Sequence, residues 1–205
     1  MKEAAILTAF CPENCFIDEN SLIIGVDAGC EYLLAKGITP HYAVGDFDSA
    51  EPDLLSRLPL TTVVQISPSE KDKSDTELAI DLAHQLGCRK ITIFNTLKGR
   101  ADHAYGVIAN IQYAHQLGLI AEIDTGDETV SVVENNLLIK NRKGVIVSVY
   151  SLVSLSQNIT LEGFKYPLNN ASLRNTECLG LSNIITSDIA SISIGLGKLL
   201  VFIGK

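Results

Sequence analysis

The stretch "AVGDFDSA" (43–50) closes a short apolar run with Gly45 and sets Asp46 and Asp48 on either side of Phe47. In an extended chain successive side chains alternate between faces, so this spacing predicts both carboxylates on one side and Phe47 toward a core. At ~6 Å and an effective dielectric of ~20, two such charges repel by about 3 kcal/mol. A divalent cation offsets that repulsion, and Gly45 leaves room for a ligand near the backbone. The pair does not fit an EF-hand loop, because position 50 is Ala and Pro52 breaks the pattern.

Other ionisable clusters also follow apolar runs. Asp27 follows "LIIGV". Lys71, Asp72, Lys73, Ser74 and Asp75 lead into a helical pattern, where unpaired backbone N–H groups favour anions. Lys98, Gly99, Arg100, Asp102 and His103 follow "KITIFN" and open another helix. Plainer roles stand beside these: Ser74 and Asp75 as helix caps, Asp27 as part of an ordinary turn, His103 as a helix-start residue. His41, His84 and His115 have no functional context.

The elements that position these residues are legible from periodicity. Strands are expected over 4–10, 22–27, 42–46, 61–66, 90–95 and 119–124. Between them, Ser74 and Glu77 form a capping box ahead of Leu78, Ala79, Leu82, Ala83 and Leu86, and Gly87 ends that helix. A second helix from about Asp102 to Leu117 carries Ala104, Val107, Ile108, Ile111, Ala114 and Leu117 at helical spacing. After Asp127 the helical period disappears, and short β-type runs alternate with Asn, Gly and Ser. The expected class is therefore α/β: a mostly parallel sheet flanked by helices over 1–127, then a smaller all-β, sandwich-like domain over 128–205. In such a sheet ligands collect beyond the C-terminal strand ends, so the polar clusters converge on one rim.

The composition narrows the classes. With 205 residues, 46% of them hydrophobic, the chain suffices for one large domain or two small ones. A net charge of −8 without a basic stripe argues against a nucleic-acid partner. No run is apolar for long enough to cross a membrane, and "MKEAAILTAFC" reads as a buried strand rather than a signal peptide. Cys11, Cys15, Cys30, Cys88 and Cys178 are scattered and odd in number, which suits reduced thiols in the cytoplasm. The close pair, Cys11 and Cys15, lacks the second ligand pair of a zinc site. "GLGKL" is not a P-loop and no complete GxGxxG is present, so nucleotide chemistry here would need carboxylates, Mg²⁺ and an Arg/Lys loop instead.

In order, "VDAGCEYLLAKGITPHYAVGDFDS", "EKDKSDTELAI", "LKGRADHAYGVIANI", "ITLEGFKYPL" and "GLSN" resemble the thiamin pyrophosphokinase family across essentially the whole chain. The resemblance implies transfer of the diphosphoryl group of ATP to the hydroxyl of thiamin, giving thiamin diphosphate and AMP. It implies that Asp46, Asp48 and Asp75 hold Mg²⁺ against the ATP phosphates with Asp27 lining the same site. Arg100 would stabilise charge on the transferring group, with Lys73 assisting. Asp102 would order the Arg100 loop or the nucleotide, and Ser74, Lys98 and His103 would lie along the phosphates. Residues 1–127 would then be the nucleotide- and Mg²⁺-binding part. Residues 128–205 would bind thiamin at a homodimer interface, with Ser182 and Asn183 as recognition candidates. Two departures from the family's "DGG" and "GGR.DH" stand out: Ala28 adds a methyl group, and Lys98 either crowds the loop or adds a phosphate contact. A non-catalytic sensor of thiamin diphosphate or nucleotide, and a Mg²⁺-dependent phosphohydrolase using Asp46, are the competing readings.

Overall fold

Short runs of Ile, Val, Leu and Ala form strands because β-branched and apolar side chains pack on a pleated surface covered on both faces. In a computed structural model, which describes residues 1–48, 50–68 and 72–205, the chain divides into two compact units, 1–126 and 127–205. Lys71 of the cationic cluster lies outside the described residues.

The first unit runs β1 (Glu3–Leu7), β2 (Leu22–Val26), α1 (Gly29–Ala35), β3 (Tyr42–Gly45), α2 (Leu54–Arg57), β4 (Val63–Ile66), α3 (Asp75–Gln85), β5 (Lys90–Phe94), α4 (Ala101–Gln116) and β6 (Ile120–Asp124). Its strands lie side by side as β6-β5-β1-β2-β3-β4, every pair parallel. Ile6 faces Ile24 on one side and Ile93 on the other, and all three are fully buried. The chain winds outward from β1 to β4 and then returns to place β5 on the other side of β1. That reversal is a topological switch point between β1 and β5.

The expected parallel α/β layer is thus the one observed. The capping box is present: Ser74 Oγ accepts the Glu77 N–H, and the Glu77 carboxylate accepts the Ser74 N–H at 2.9 Å. Along α3 the buried stripe is Ala79, Ile80 and Ala83, small enough at two positions to seat the helix close to the sheet. On α4 the buried face is Val107, Asn110, Ile111 and Ala114, an apolar stripe with one amide in it.

The second unit is all β: β7 (Glu128–Val133), β8 (Asn136–Lys140), β9 (Ile146–Ser151), β10 (Leu155–Glu162), β11 (Leu168–Arg174), β12 (Gly180–Ile184), β13 (Ile189–Ser193) and β14 (Leu199–Gly204). Antiparallel pairing gives β12-β9-β14-β7 and β11-β10-β13-β8. One core, including Val147, Val149, Ile159, Leu161, Ile192 and Val201, binds these strands together. No helix among the described residues is long and apolar enough to cross a membrane.

Candidate active site

Two strand ends and one helix start bring carboxylates to one point. Asp27 directly follows β2 and Asp46 follows β3, while Asp75 is the first residue of α3. One oxygen from each of Asp27, Asp46 and Asp75 lies within 4.8 Å of the others, and all three residues are half-buried. Each is oriented by a local donor. The Phe47 N–H donates to Asp27 Oδ1 at 3.2 Å, the Asp48 N–H to Asp46 Oδ1 at 3.2 Å, and the Ser67 hydroxyl to Asp75 Oδ1 at 2.7 Å.

The backbone around the trio departs from the extended geometry expected for 46–48. Phe47 adopts φ 59°, a left-handed conformation, so Asp46 and Asp48 are not alternate residues of a strand. The turn folds the Asp48 N–H back onto the Asp46 carboxylate. Phe47 does pack against a core, with Cys30, Ala43, Leu54 and Leu58. Asp48 is exposed and stands outside the carboxylate trio, whereas Asp27 is a full member of it.

Glycine makes this approach possible. A Cβ built on Gly45 would sit 1.8 Å from Asp27 Oδ1, and one on Gly29 would sit 2.1 Å from the Leu7 carbonyl oxygen. Position 28 has no such restriction: Ala28 is the right-handed residue that opens α1, φ −61° and ψ −9°. The methyl group there borders the adjacent cavity without straining the chain.

That cavity, about 730 Å³, lies at the switch point and has the size of a small-molecule site. Thr8 after β1, Asp27 after β2, Asn95 after β5, Ser74 at the α3 N-terminus and His103 in the first turn of α4 all border it. Asn95 is buried and knits the rim: its Nδ2 donates to Thr8 Oγ1 at 2.8 Å, and its Oδ1 accepts the Leu97 N–H at 2.8 Å. Thr8, Asn95 and Asn110 are absent from the sequence-derived set. Their signal was a polar residue at the end of a buried strand or on an apolar helix face.

Arg100 and Lys73 are each engaged by a different carboxylate. Arg100, the residue preceding α4, forks onto Asp102 with Nε–Oδ1 3.1 Å and Nη2–Oδ2 2.6 Å. That fork holds the Asp102 carboxyl below its ordinary value, and the Asp102 carboxylate pushes Arg100 up. Asp102 therefore orders Arg100 directly. Lys73 is clasped 2.5 Å from Asp81 Oδ2 and 2.8 Å from the Tyr113 hydroxyl, and Asp81 foremost raises its pKa. Lys98 is exposed on the loop between Leu97, φ 55°, and Gly99, φ 92°.

In the second unit, Ser182 sits at φ 56° in an irregularity of β12, exposed, with its N–H on Ser148 Oγ at 3.0 Å. Asn183 is buried, and its amide is engaged at both ends by one residue: Oδ1 accepts the Tyr166 N–H at 3.0 Å and Nδ2 donates to the Tyr166 carbonyl at 2.7 Å. Asn183 is thus a clasp between β12 and the segment at Tyr166, and Ser182 is the outward-facing member of the two. Leu179, Leu181 and Tyr166 are exposed apolar neighbours.

Comparison with known proteins reaches both units. Residues 14–122 match the family model described as thiamin pyrophosphokinase, catalytic domain, and residues 134–199 match thiamin pyrophosphokinase, vitamin B1 binding domain. The thiamine pyrophosphokinase of Bacillus subtilis is 32% identical over 199 residues, covering 90% of this chain and 88% of that protein. A crystal structure of thiamine pyrophosphokinase from B. subtilis superposes with a TM-score of 0.87 at 30% identity, over 100% of this chain and 99% of the other. The Geobacillus thermodenitrificans thiamin pyrophosphokinase structure gives a TM-score of 0.84 at 26% identity, over 99% and 97% of the two chains.

Proposed function

The chain belongs to the thiamin pyrophosphokinase family, and from that premise we propose that ATP binds with Mg²⁺ at the switch-point cavity and its carboxylate trio. The activity is diphosphoryl transfer to the hydroxyl of thiamin, giving thiamin diphosphate. The observation that carries the assignment of the site is the convergence of Asp27, Asp46 and Asp75 within 4.8 Å at a cavity bordered by the α3 and α4 N-termini.

The donor set fits a hard cation. All three ligands are carboxylates, and oxygens on opposite sides of Mg²⁺ lie up to about 4.2 Å apart, so small rotamer adjustments bring the trio onto one ion. Asp27, Asp46 and Asp75 would hold Mg²⁺, which when bound draws charge off the phosphate oxygens of ATP. The N–H groups at the start of α3 face the same region and favour the polyphosphate. Asp102 presents the Arg100 guanidinium as a planar fork. As charge develops on the transferring group, that fork becomes shared with it, which is where a cation lowers the barrier most. His103 and Lys98 flank the path of the phosphates, while Lys73, fixed by Asp81 and Tyr113, braces the α3 start against α4.

Thiamin is assigned to the second unit, near exposed Ser182 and its apolar neighbours, in a homodimer whose two chains share each site. Asn183 positions that region through Tyr166. A cytoplasmic setting suits the five free thiols, and neither nucleic acid nor a membrane is part of the reading. The test is incubation with Mg²⁺ and ATP, with and without thiamin. AMP formed only with thiamin is the expected result. Phosphate released without thiamin, or no product in either tube, would overturn it.

A further inference from the structure

Cys11 and Cys15 take no part in the carboxylate site, yet they lie on the segment that leaves β1 beside the cavity. Their sulfurs are 3.6 Å apart, and the Tyr32 hydroxyl is 3.2 Å from Cys15 Sγ. Both residues are half-buried, and neither is in a disulfide. Cys15 opens into a separate groove of about 330 Å³ bounded by Phe16, Ile17, Ile23, Tyr32 and Ile38, which gives a small reagent access to its sulfur.

The segment is mechanically tied to the neighbouring site. The Cys11 N–H donates to the Thr8 carbonyl at 3.1 Å, and the Phe10 carbonyl accepts the Thr96 N–H at 2.8 Å. Phe10 borders the large cavity, and its ring lies against Gly99, next to Arg100. A disulfide requires an S–S distance of about 2.05 Å, so joining these sulfurs requires them to close by about 1.5 Å.

We propose that Cys11 and Cys15 form a reversible dithiol–disulfide site that takes a hydroperoxide as oxidant and, once closed, shifts Phe10 against the nucleotide cavity and the Arg100 loop. The Cys15 thiolate attacks one peroxide oxygen, the O–O bond breaks, and Cys15 becomes a sulfenic acid while hydroxide departs. Cys11 then attacks Cys15 Sγ. The S–S bond forms, the S–O bond breaks, and the leaving hydroxide takes up the Cys11 proton as water. The two thiols lose two electrons and two protons in total, and hydrogen peroxide is reduced to two waters. The acid–base asymmetry of the pair matches this division of labour. The hydrogen bond from Cys11, with a smaller contribution from Tyr32, lowers Cys15 to about 6, and the same contact raises Cys11.

The full chain is treated with hydrogen peroxide, digested without reduction and mapped by mass. The expected product is one 11–15 cross-link, two hydrogens lighter and reversed by dithiothreitol. It should form before the exposed Cys178 is oxidised. The Cys11→Ser chain should stop at a Cys15 sulfenic acid trapped by dimedone, and Cys15→Ser should leave Cys11 unmodified over the same time. Preferential oxidation of Cys178, or equal reactivity of both serine variants, overturns the site. The second readout rests on the functional reading above, whereas the mass does not. The cross-linked chain should bind ATP with Mg²⁺ about tenfold more weakly, on the scale of one lost hydrogen bond, and recover on reduction. A cross-linked chain with unchanged ATP affinity overturns the coupling to the cavity.

Discussion

Three carboxylates with oxygens within 4.8 Å of one another repel by about 3.5 kcal/mol per pair at an effective dielectric of ~20. Neutralising one should therefore separate stability from activity. Asp46→Asn is expected to lower turnover at limiting Mg²⁺ on the order of 10²-fold, while its melting temperature in EDTA holds or rises. Asp48→Asn, outside the trio, should lose much less. Equal losses in the two variants would put Asp48 among the ligands after all. Arg100→Ala should lower kcat on the order of 10³-fold with a far smaller change in KM for thiamin, and lysine should restore only part, since it lacks the planar fork. A loss confined to KM would remove Arg100 from the transferring group. The Arg100–Asp102 fork also carries a pH signature. Because the folded carboxyl lies below its ordinary 3.8, the pairing is complete above that pH and is lost as pH falls through the lower folded value. An NMR titration should find Asp102 below 3.8, and Arg100→Ala should return it toward 3.8.

At the scale of elements, the α3 cap is a stability device adjoining a functional residue. Ser74→Ala removes the oxygen that accepts the Glu77 N–H and should cost about 1 kcal/mol, read by urea denaturation. A much larger loss of activity than of stability would show that Ser74 also touches the phosphates. The capping box, the parallel strands and the α4 stripe were all legible in sequence because each is a local pattern: a cap three residues from its partner, or apolar residues at a fixed period. β11 was not legible. "LNNASLR" has a single buried position, Leu173, and a left-handed Asn170, so no alternation marks it as a strand. The tight turn at Phe47 escaped for the opposite reason. Its left-handed backbone is set by the Asp48 N–H closing on Asp46, which a reading based on extended geometry does not anticipate. Asn183 matched a recognition motif, yet its partner lies 17 positions away at Tyr166, beyond any local pattern.

At the scale of the whole molecule, the proposed sharing of each site between two copies makes a prediction that no single-chain site does. Asp46→Asn and Ser182→Arg homodimers should each be nearly inactive. Denatured and refolded together, random pairing makes about half of the dimers mixed, each with one site free of both changes. About a quarter of wild-type activity should return. Mixed dimers confirmed by mass but inactive would place both residues in the same chain's site. The 1.8 Å that would separate a position-45 Cβ from Asp27 Oδ1 has a consequence for descent. A side chain at 45 would displace a carboxylate of the proposed Mg²⁺ site, so a change at 45 or at 27 alone is expected to lower the reaction. Among kindred sequences Gly45 and Asp27 should be inherited as a linked pair and vanish together in lineages that abandon catalysis. Position 28, with ordinary backbone and only a cavity wall to meet, should wander between alanine and glycine.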